Sequence, residues 1–171
     1  MINEYLVVDG YNIINSWPQL TKLKEIDFEA ARDQLIHMLA DYQAYSGLQV
    51  YVIFDAYLVP GKGGKYELHK LKIIYTKEKE TADELIERLV TGLIGRRKQI
   101  YVATSDLTEQ NVIFGKGALR IPARELLEKI QQSRKELRNN ISSSINPHRN
   151  TVDSHLSPEQ KKLFEKWRRD Q

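Results

Sequence analysis

The chain has 171 residues and a mass of 19.9 kDa, the length of one ordinary domain with a short appendage. With 41% hydrophobic and 29% charged residues, it can build a core and is neither disordered nor fibrous. The longest apolar run, residues 50–54, is far shorter than the roughly 18 to 20 residues that span a membrane. Because the first residues also lack the basic start and apolar segment of a signal peptide, we expect a cytoplasmic protein with no membrane partner.

The sequence contains no cysteine, which excludes disulfide scaffolds, thiol nucleophiles, iron–sulfur clusters and cysteine zinc sites. The formal net charge of +3 is unevenly distributed: residues 1–59 carry 3 basic and 8 acidic groups, and residues 60–171 carry 23 and 15. Such a basic half is compatible with a polyanionic partner and equally with a charged, solvated surface.

Short apolar runs predict strands at residues 5–8, 50–54, 71–75, 100–103 and 118–121, with a Gly- and Lys-rich loop at 61–65. After a loop that follows the first strand, apolar residues at helical spacing predict a helix from Phe28 to the stop at Ser46 and Gly47.

Further helices alternate with these strands. Thr81 and Glu84 form a capping-box pattern, and the helix that they open is predicted to close at residues 96–98. Residues 107–114 also look helical, and Pro122 suits the start of another helix. Alternating strands and helices predict an α/β domain with a mainly parallel central sheet and helices on both faces.

The composition changes near the end of the chain. Residues 139–156 are polar, rich in Ser and Asn and without periodicity, which predicts a linker after a main domain at 1–138. Residues 157–171 predict a short helix that packs on the domain or on a partner through Phe164 and Trp167.

Aspartates occur where the predicted strands end. Asp9 ends the first strand, Asp55 ends the second and Asp106 follows the fourth, while Asp83 lies in the first turn of the helix after Thr81. In a parallel sheet these positions share the edge formed by the carboxyl ends of the strands. Four carboxylates gathered there repel one another, and a hard divalent cation such as Mg²⁺ or Mn²⁺ is the usual remedy. The pattern therefore predicts a metal site.

Each aspartate taken singly also has an ordinary structural explanation. Asp83 suits the positive end of a helix dipole, Asp106 suits an N-cap, and Asp9 and Asp55 are typical of turns. The coincidence of four such residues at one edge favours the shared site.

Other chemistries fit the sequence less well. It has no phosphate-binding loop, so no nucleotide cofactor is expected, and it has no serine-hydrolase elbow. A phosphorylated receiver domain stays open, because Asp9, Asp55, Thr104 and Lys116 are residues of the right types. Gly10 speaks against it, since receivers usually carry a second acid beside the first one.

Five blocks occur in order across nearly the whole chain: VVDGYNII at 7–14, VIFDA at 52–56, ETADE at 80–84, ATSD at 103–106 and FEKWRR at 164–169. Together they resemble the YacP-type NYN family of PIN-like nucleases, and the early Asp-Gly-Tyr-Asn with a later Thr-Ala-Asp-Glu is more specific than any single motif. The resemblance implies a single PIN-like/NYN domain and an endoribonuclease that acts on messenger RNA in association with the ribosome.

The resemblance also implies the site residues. The acidic metal site of the family matches Asp9, Asp83 and Asp106, with Asn12 as a polar partner that orients a ligand and Asp55 as a supporting acid. Mg²⁺ or Mn²⁺ held there would support phosphodiester hydrolysis that leaves a 5′-phosphate and a 3′-hydroxyl.

RNA contacts are predicted on and after the Gly-rich loop. The candidates for the backbone are Lys62, Lys65, Lys70 and Lys72, and Tyr11 or Tyr57 are candidates for stacking on a base. The alternative to a nuclease is a non-catalytic ribosome- or RNA-binding factor, since some PIN-like domains bind RNA without cutting it.

Overall fold

The computed structural model describes residues 2–56, 64–106 and 115–144, so the helices predicted at 107–114 and 157–171 lie outside the described residues. The strands are β1 (Asn3–Asp9), β2 (Gln49–Phe54), β3 (Gly64–Leu68), β4 (Leu71–Tyr75), β5 (Lys98–Ala103) and β6 (Leu119–Ile121). The helices are α1 (Gly10–Ser16), α2 (Pro18–Ile26), α3 (Phe28–Ser46), α4 (Ala82–Leu93) and α5 (Ala123–Ser144).

The six strands form one sheet in the order β3-β4-β2-β1-β5-β6. All neighbouring pairs are parallel except β3 and β4, which pair in antiparallel fashion. The central strand β1 lies between β2 and β5, with Val8 opposite both Val52 and Ala103. The predicted α/β architecture with a mainly parallel sheet is confirmed.

Helices cover both faces of the sheet, as predicted. Because side chains alternate along a strand, Leu6 and Val8 of β1 pack on one face with residues of α1, α2, α3 and α5. Tyr5 and Val7 pack on the other face with α4. Burial on both sides explains why these strands are continuous apolar runs in the sequence.

The first helical region is larger than predicted. Residues 10–26, expected to be a loop, form α1 and α2. Asp9 caps α1 by accepting a hydrogen bond from the backbone N–H of Asn12, and Pro18 opens α2 at a position where a missing N–H costs nothing. The side chain of Trp17, which lies between the two helices, donates a hydrogen bond to the carbonyl of Ala123 at 2.7 Å and is buried.

The edge hairpin was also missed. Residues 64 and 65 do not belong to a loop but begin β3, which pairs with β4 through a tight turn at His69 and Lys70. Both turn residues have positive φ, 49° and 71°, a conformation that such turns usually assign to Asn or Gly. Since neither residue type is present, the turn gives no signal in the sequence.

The ends of two helices differ from expectation. The capping box of Thr81 and Glu84 is confirmed, but α4 ends at Leu93, before the predicted closure at 96–98. Helix α5 continues to Ser144, six residues into the segment predicted as a linker. There the hydroxyl of Ser142 donates to the carbonyl of Arg138 at 2.8 Å, one turn back, which lets the serine sit in a helix without competing for another backbone partner.

The sheet and the helices packed on it belong to a compact unit, Met1–Arg134, and a second unit comprises Lys135–Gln171. Of the second unit, the structure describes only the helical residues 135–144. Across the described parts of both, no helix combines the length and the apolar character that crossing a membrane requires.

Candidate active site

Four aspartates converge on the edge of the sheet where the parallel strands end; we call this the acidic edge. Asp9 is the last residue of β1, Asp55 follows β2 and Asp106 lies three residues after β5. Asp83 is the second residue of α4. The four are close enough for Asp83, Asp106 and Asp55 each to raise the pKa of Asp9.

Asp9 is the buried member of this group, with 7% of its surface exposed. Burial is the largest cause that raises its pKa to about 6, and the repulsion of the other three aspartates adds to it, while the hydrogen bond from the N–H of Asn12 opposes the shift. Asp83 is exposed as a residue, but its carboxyl is partly shielded from water. This shielding, followed by repulsion from Asp106 and Asp55, raises its pKa. Neither Asp9 nor Asp83 forms a salt bridge with any residue that the structure describes.

Gly10 allows the chain to turn from β1 into α1 beside this carboxylate. A Cβ atom at this position would collide with the ring of Phe54 and would lie 2.9 Å from the carbonyl oxygen of Ile53. Only glycine lets α1 start this close to β2, and this close approach places Asp9 and Asn12 at the same edge.

Asn12 connects α1 to the segment that carries Asp106. Its Oδ1 accepts hydrogen bonds from both the backbone N–H and the hydroxyl of Ser105, each at 2.8 Å. The Ser105 hydroxyl also lies 3.0 Å from that of Ser16, and the N–H of Asp106 donates to the buried hydroxyl of Thr104 at 3.1 Å. The Asn12 oxygen, predicted to orient a ligand, is therefore engaged in holding Ser105 beside Asp106.

Thr76 holds the segment that carries Asp55, as Asn12 holds the segment that carries Asp106. This fully buried threonine accepts a hydrogen bond from the N–H of Ala56 at 2.9 Å, and its hydroxyl donates to Asp55 Oδ1 at 3.5 Å. The sequence-based interpretation missed Thr76, Ser105 and Ser16. Ser105 could have been found, because it separates Thr104 from Asp106 in the ATSD block.

The acidic edge has the chemistry of a site for a hard cation. Its donors are carboxylate oxygens, and repulsion from Asp83, Asp106 and Asp55 adds to the burial that raises the pKa of Asp9. Within the residues described, however, no group of three or more His, Asp or Glu side chains is arranged so that it could hold a metal ion. The residues fit a divalent cation by charge and donor type, and binding would require the carboxylates to draw together.

The predicted RNA-binding lysines lie in different places. Lys65 in β3 pairs with Ile74, near the end of β4 that faces the acidic edge, whereas Lys70 lies in the turn at the opposite end of β4. Lys72, the second residue of β4, donates a hydrogen bond to the hydroxyl of Tyr51 at 3.0 Å. The structure therefore separates Lys70 and Lys72 from the carboxylates, because β4 runs towards the acidic edge. Lys62 and Tyr57 lie outside the described residues.

Tyr11 has a packing role. Its ring stacks on Phe28 at a centroid distance of 5.2 Å and contacts Phe54 at 5.1 Å, so it offers no open face to a base in this conformation. A more exposed aromatic side chain on the same face of the sheet is Tyr66 of β3, which has half its surface exposed and lies edge-on to Tyr75 at 5.8 Å.

A parallel α/β sheet with carboxylates at the carboxyl ends of its strands is typical of the PIN-like nuclease group. The chain belongs to one family of that group: the sequence model of the YacP-like NYN domain matches residues 6–169. NYN domains are PIN-like, which supports an RNase kind of activity, and nucleases of this group generally use divalent metal ions. The assignment replaces the receiver interpretation.

Three matches to Bacillus subtilis proteins define the relationship further. The chain is 49% identical over 166 residues to a protein of strain 168 named uncharacterized protein YacP, and the match covers 97% of each chain. The crystal structure of Rae1 (YacP) from Bacillus subtilis matches with a TM-score of 0.74 and 49% identity, covering 96% of this chain and 94% of that one. A mutant of Rae1 matches with a TM-score of 0.75 and 45% identity, covering 88% and 87%.

Proposed function

We propose that the protein is a metal-dependent endoribonuclease that hydrolyses phosphodiester bonds of messenger RNA. The observation that carries the proposal is the convergence of four aspartates, from three strand ends and one helix start, in a chain of a nuclease family. Their mutual repulsion is the electrostatic condition that a divalent cation relieves, and a nuclease needs such a cation beside a phosphate.

The residues proposed to hold Mg²⁺ or Mn²⁺ are Asp9, Asp83 and Asp106, with Asp55 in support. The ion, when bound, supplies an activated water for in-line attack and offsets charge on the leaving oxygen, which gives 5′-phosphate and 3′-hydroxyl ends. A carboxylate lost from this set removes both a ligand and the negative charge that attracts the ion.

The neighbouring residues keep this edge in place. Asn12 holds Ser105 beside Asp106, and Thr76 bonds Asp55. Lys65, exposed on the edge strand near the carboxylates, is the described lysine best placed to contact the backbone of the cleaved strand, and Lys62 stays a prediction.

The substrate and the cellular context follow from the family resemblance. We propose that messenger RNA is cut in the cytoplasm while the protein is associated with the translating ribosome. Among the described residues near the acidic edge, the rings of Tyr11, Phe54 and Tyr75 pack against one another, so they are not free to read bases. We therefore expect the position of cleavage to depend on how the RNA is presented.

The test compares wild type with Asp83→Asn on translated messenger RNA and on the same RNA without ribosomes. Each reaction is run with Mn²⁺, with Mg²⁺ or with chelator, and the 5′ ends of the products are mapped. Because Asp83 is exposed, the variant should fold normally. Because it lacks a proposed ligand of the ion, it should lose cleavage entirely. Asp33→Asn is the matched control, since Asp33 is an exposed aspartate of α3 that does not influence the pKa of Asp9 or Asp83.

Discrete 5′-phosphate ends from wild type and from the control, but not from Asp83→Asn or with chelator, are the expected result. A folded Asp83→Asn protein that still cuts would rule out the proposed site. Equal cleavage of translated and ribosome-free RNA would rule out the ribosome as a requirement.

One observation favours a second candidate, a non-catalytic RNA- or ribosome-binding factor. No three carboxylates of the described chain are already arranged for a metal ion. This candidate predicts uncut RNA in every reaction, with the aspartate variants binding ribosomes as wild type does.

A further inference from the structure

The edge of the sheet opposite the carboxylates carries five exposed cations; we call it the basic edge. Lys70 lies in the β3–β4 turn and Lys72 near the start of β4, and Arg96, Arg97 and Lys98 lead into β5. None of the five forms a salt bridge with another residue in the described ranges. Their charge is therefore available to an anionic partner.

Two of these cations are held by a shared pair of aromatic rings. Lys72 Nζ donates to the hydroxyl of Tyr51 at 3.0 Å and lies 4.8 Å from the centre of its ring. Lys98 Nζ lies 5.9 Å from the ring centre of Tyr5, and the two rings are 6.5 Å apart. The lysines come from β4 and β5, which lie three strand spacings, or about 14 Å, apart across the sheet. Along the strands, Lys98 lies four residues further from the acidic edge than Lys72.

The hydrogen bond to Tyr51 is the main reason why the pKa of Lys72 is raised, and Glu67 adds to the effect. Glu67 lies opposite Lys72 in the β3–β4 pair but forms no salt bridge with it. Lys72 is therefore a charged group that is held in a defined position and is not neutralised by a salt bridge.

The two aromatic rings that hold these lysines are closed to bases. Tyr5 and Tyr51 are only 7% and 8% exposed, so neither ring can stack on a nucleobase. Single-stranded RNA is normally held by exposed aromatic side chains together with cations, whereas duplex RNA is held by contacts to its backbone. Lysines at set positions on a rigid sheet match the regular rows of phosphates of a duplex.

We propose that the basic edge binds the phosphate backbone of double-helical RNA, at a site separate from the acidic edge. The choice of RNA as the polyanion rests on the proposed function. Lys98 is level with Asn3, so β1 places on the order of 20 Å between it and Asp9, whereas Lys72 is level with Val7 and lies nearer. The helix bound through Lys98 is therefore not the segment positioned at the acidic edge.

The test measures binding of the full-length protein to an RNA duplex of about 20 base pairs, long enough for two successive minor grooves, by fluorescence anisotropy in chelator over a range of salt concentrations. The variant is Lys72→Gln with Lys98→Gln. Its matched control is Arg124→Gln with Lys129→Gln, which removes two exposed cations of α5 on the other face of the sheet, each ion-paired within its own helix. Unfolding curves establish that both proteins fold.

We expect the Lys72 and Lys98 variant to bind the duplex about tenfold more weakly than wild type. The slope of log affinity against log salt concentration should become less steep by about two, one for each lost phosphate contact. The control should change by less than about twofold, since only non-specific attraction is reduced. Glu67→Gln should bind more tightly than wild type, and Lys72→Arg with Lys98→Arg should restore binding.

Four results would overturn the proposal: no duplex binding by wild type, normal binding by the lysine variant, equal losses in the variant and the control, or equally lysine-dependent binding of a single strand of the same length. Asp83→Asn, included in the series, separates this site from the nuclease. If that variant binds the duplex normally, the basic edge stands whether or not wild type cuts RNA. If the lysine variant binds normally, the basic edge fails while the nuclease is decided by cleavage alone.

Discussion

Asp9 performs two tasks that conflict electrostatically. As the N-cap of α1 it accepts a hydrogen bond from the N–H of Asn12 at 3.4 Å, which favours the charged carboxylate. Burial and three neighbouring aspartates favour the protonated form, and they prevail, so the pKa is about 6. The ionised form of the carboxyl that caps the helix is thus destabilised by the acidic site of which it is part.

This conflict predicts how stability depends on pH when no metal is present. The pKa of Asp9 is about 6 in the folded protein, against the ordinary value of 3.8 for this carboxyl. Between these two pH values the folded state keeps a proton that the unfolded chain has lost. The free energy of unfolding therefore falls as pH rises through this window, by on the order of 3 kcal/mol from this group. We expect urea denaturation in chelator to show the decrease, and Asp9→Asn, which retains the cap, to remove most of it. An unchanged pH dependence in that variant would contradict the assignment.

At the scale of elements, the site depends on a connection between α1 and the end of β5. Two hydrogen bonds of 2.8 Å join Asn12 to Ser105, and they cross 93 positions of sequence. Asp106 follows Ser105 directly, so the position of its carboxylate depends on a helix that starts at the end of another strand.

We predict that Asn12→Ala and Ser105→Ala each lower kcat by about tenfold or more and destabilise the fold by about 1 to 2 kcal/mol. Ser105→Ala keeps the N–H bond to Asn12, so its effect should be the smaller one. Because the two residues act through one contact, the double variant should lose less than the sum of the single losses, which a double-mutant cycle of cleavage rates measures. Additive losses would show that Asn12 acts independently of Ser105.

The junction of β1 and α1 gives a prediction on stability. Gly10→Ala would force its Cβ against Phe54 and the Ile53 carbonyl, and we expect a cost of about 1 to 3 kcal/mol in urea denaturation. Gly92→Ala is the control, since Gly92 lies in α4 with nothing within 4 Å of its would-be Cβ, and it should stabilise by about 0.5 to 1 kcal/mol. Similar effects of both substitutions would contradict the close approach at Gly10.

The elements that the sequence revealed are those with strong local signals. The helix from Phe28 to Ser46 was predicted with its ends, because it has helical periodicity and a left-handed glycine at residue 47. The β3–β4 hairpin was not, because its turn uses His69 and Lys70 in place of Asn and Gly.

The candidate site also has parts that local sequence signals predict and parts that they do not. The convergence of the aspartates follows from their positions at strand ends, whereas the hydrogen bonds of Ser105 and Thr76 join residues distant in sequence and depend on how elements pack. The lysines that were predicted together lie at both ends of β4, because closeness along the chain conceals that this strand separates Lys65 from Lys70. Spacing along a chain cannot distinguish the two ends of a strand when a hairpin reverses direction between them.

At the scale of the whole sheet, parallel strands have a simple consequence for charge. Every parallel strand starts at one edge and ends at the other, so residue types that recur at strand starts or strand ends accumulate on opposite sides. Here cations precede β4 and β5, and aspartates follow β1, β2 and β5. The parallel topology thereby gathers the cations on one side of the sheet and the aspartates on the other.

The sheet is therefore electrically polarised along its strands, and this polarity acts before any contact is made. A polyanion that approaches from solution attracts the side with Lys72 and Lys98 and repels the side with Asp9 and Asp83. These opposed forces turn the molecule so that its carboxylates face away from the approaching polyanion. For the proposed nuclease, encounter by diffusion alone therefore favours contact through the basic edge, and we expect cleavage to need a strand that is held in place while the acidic edge is brought to it.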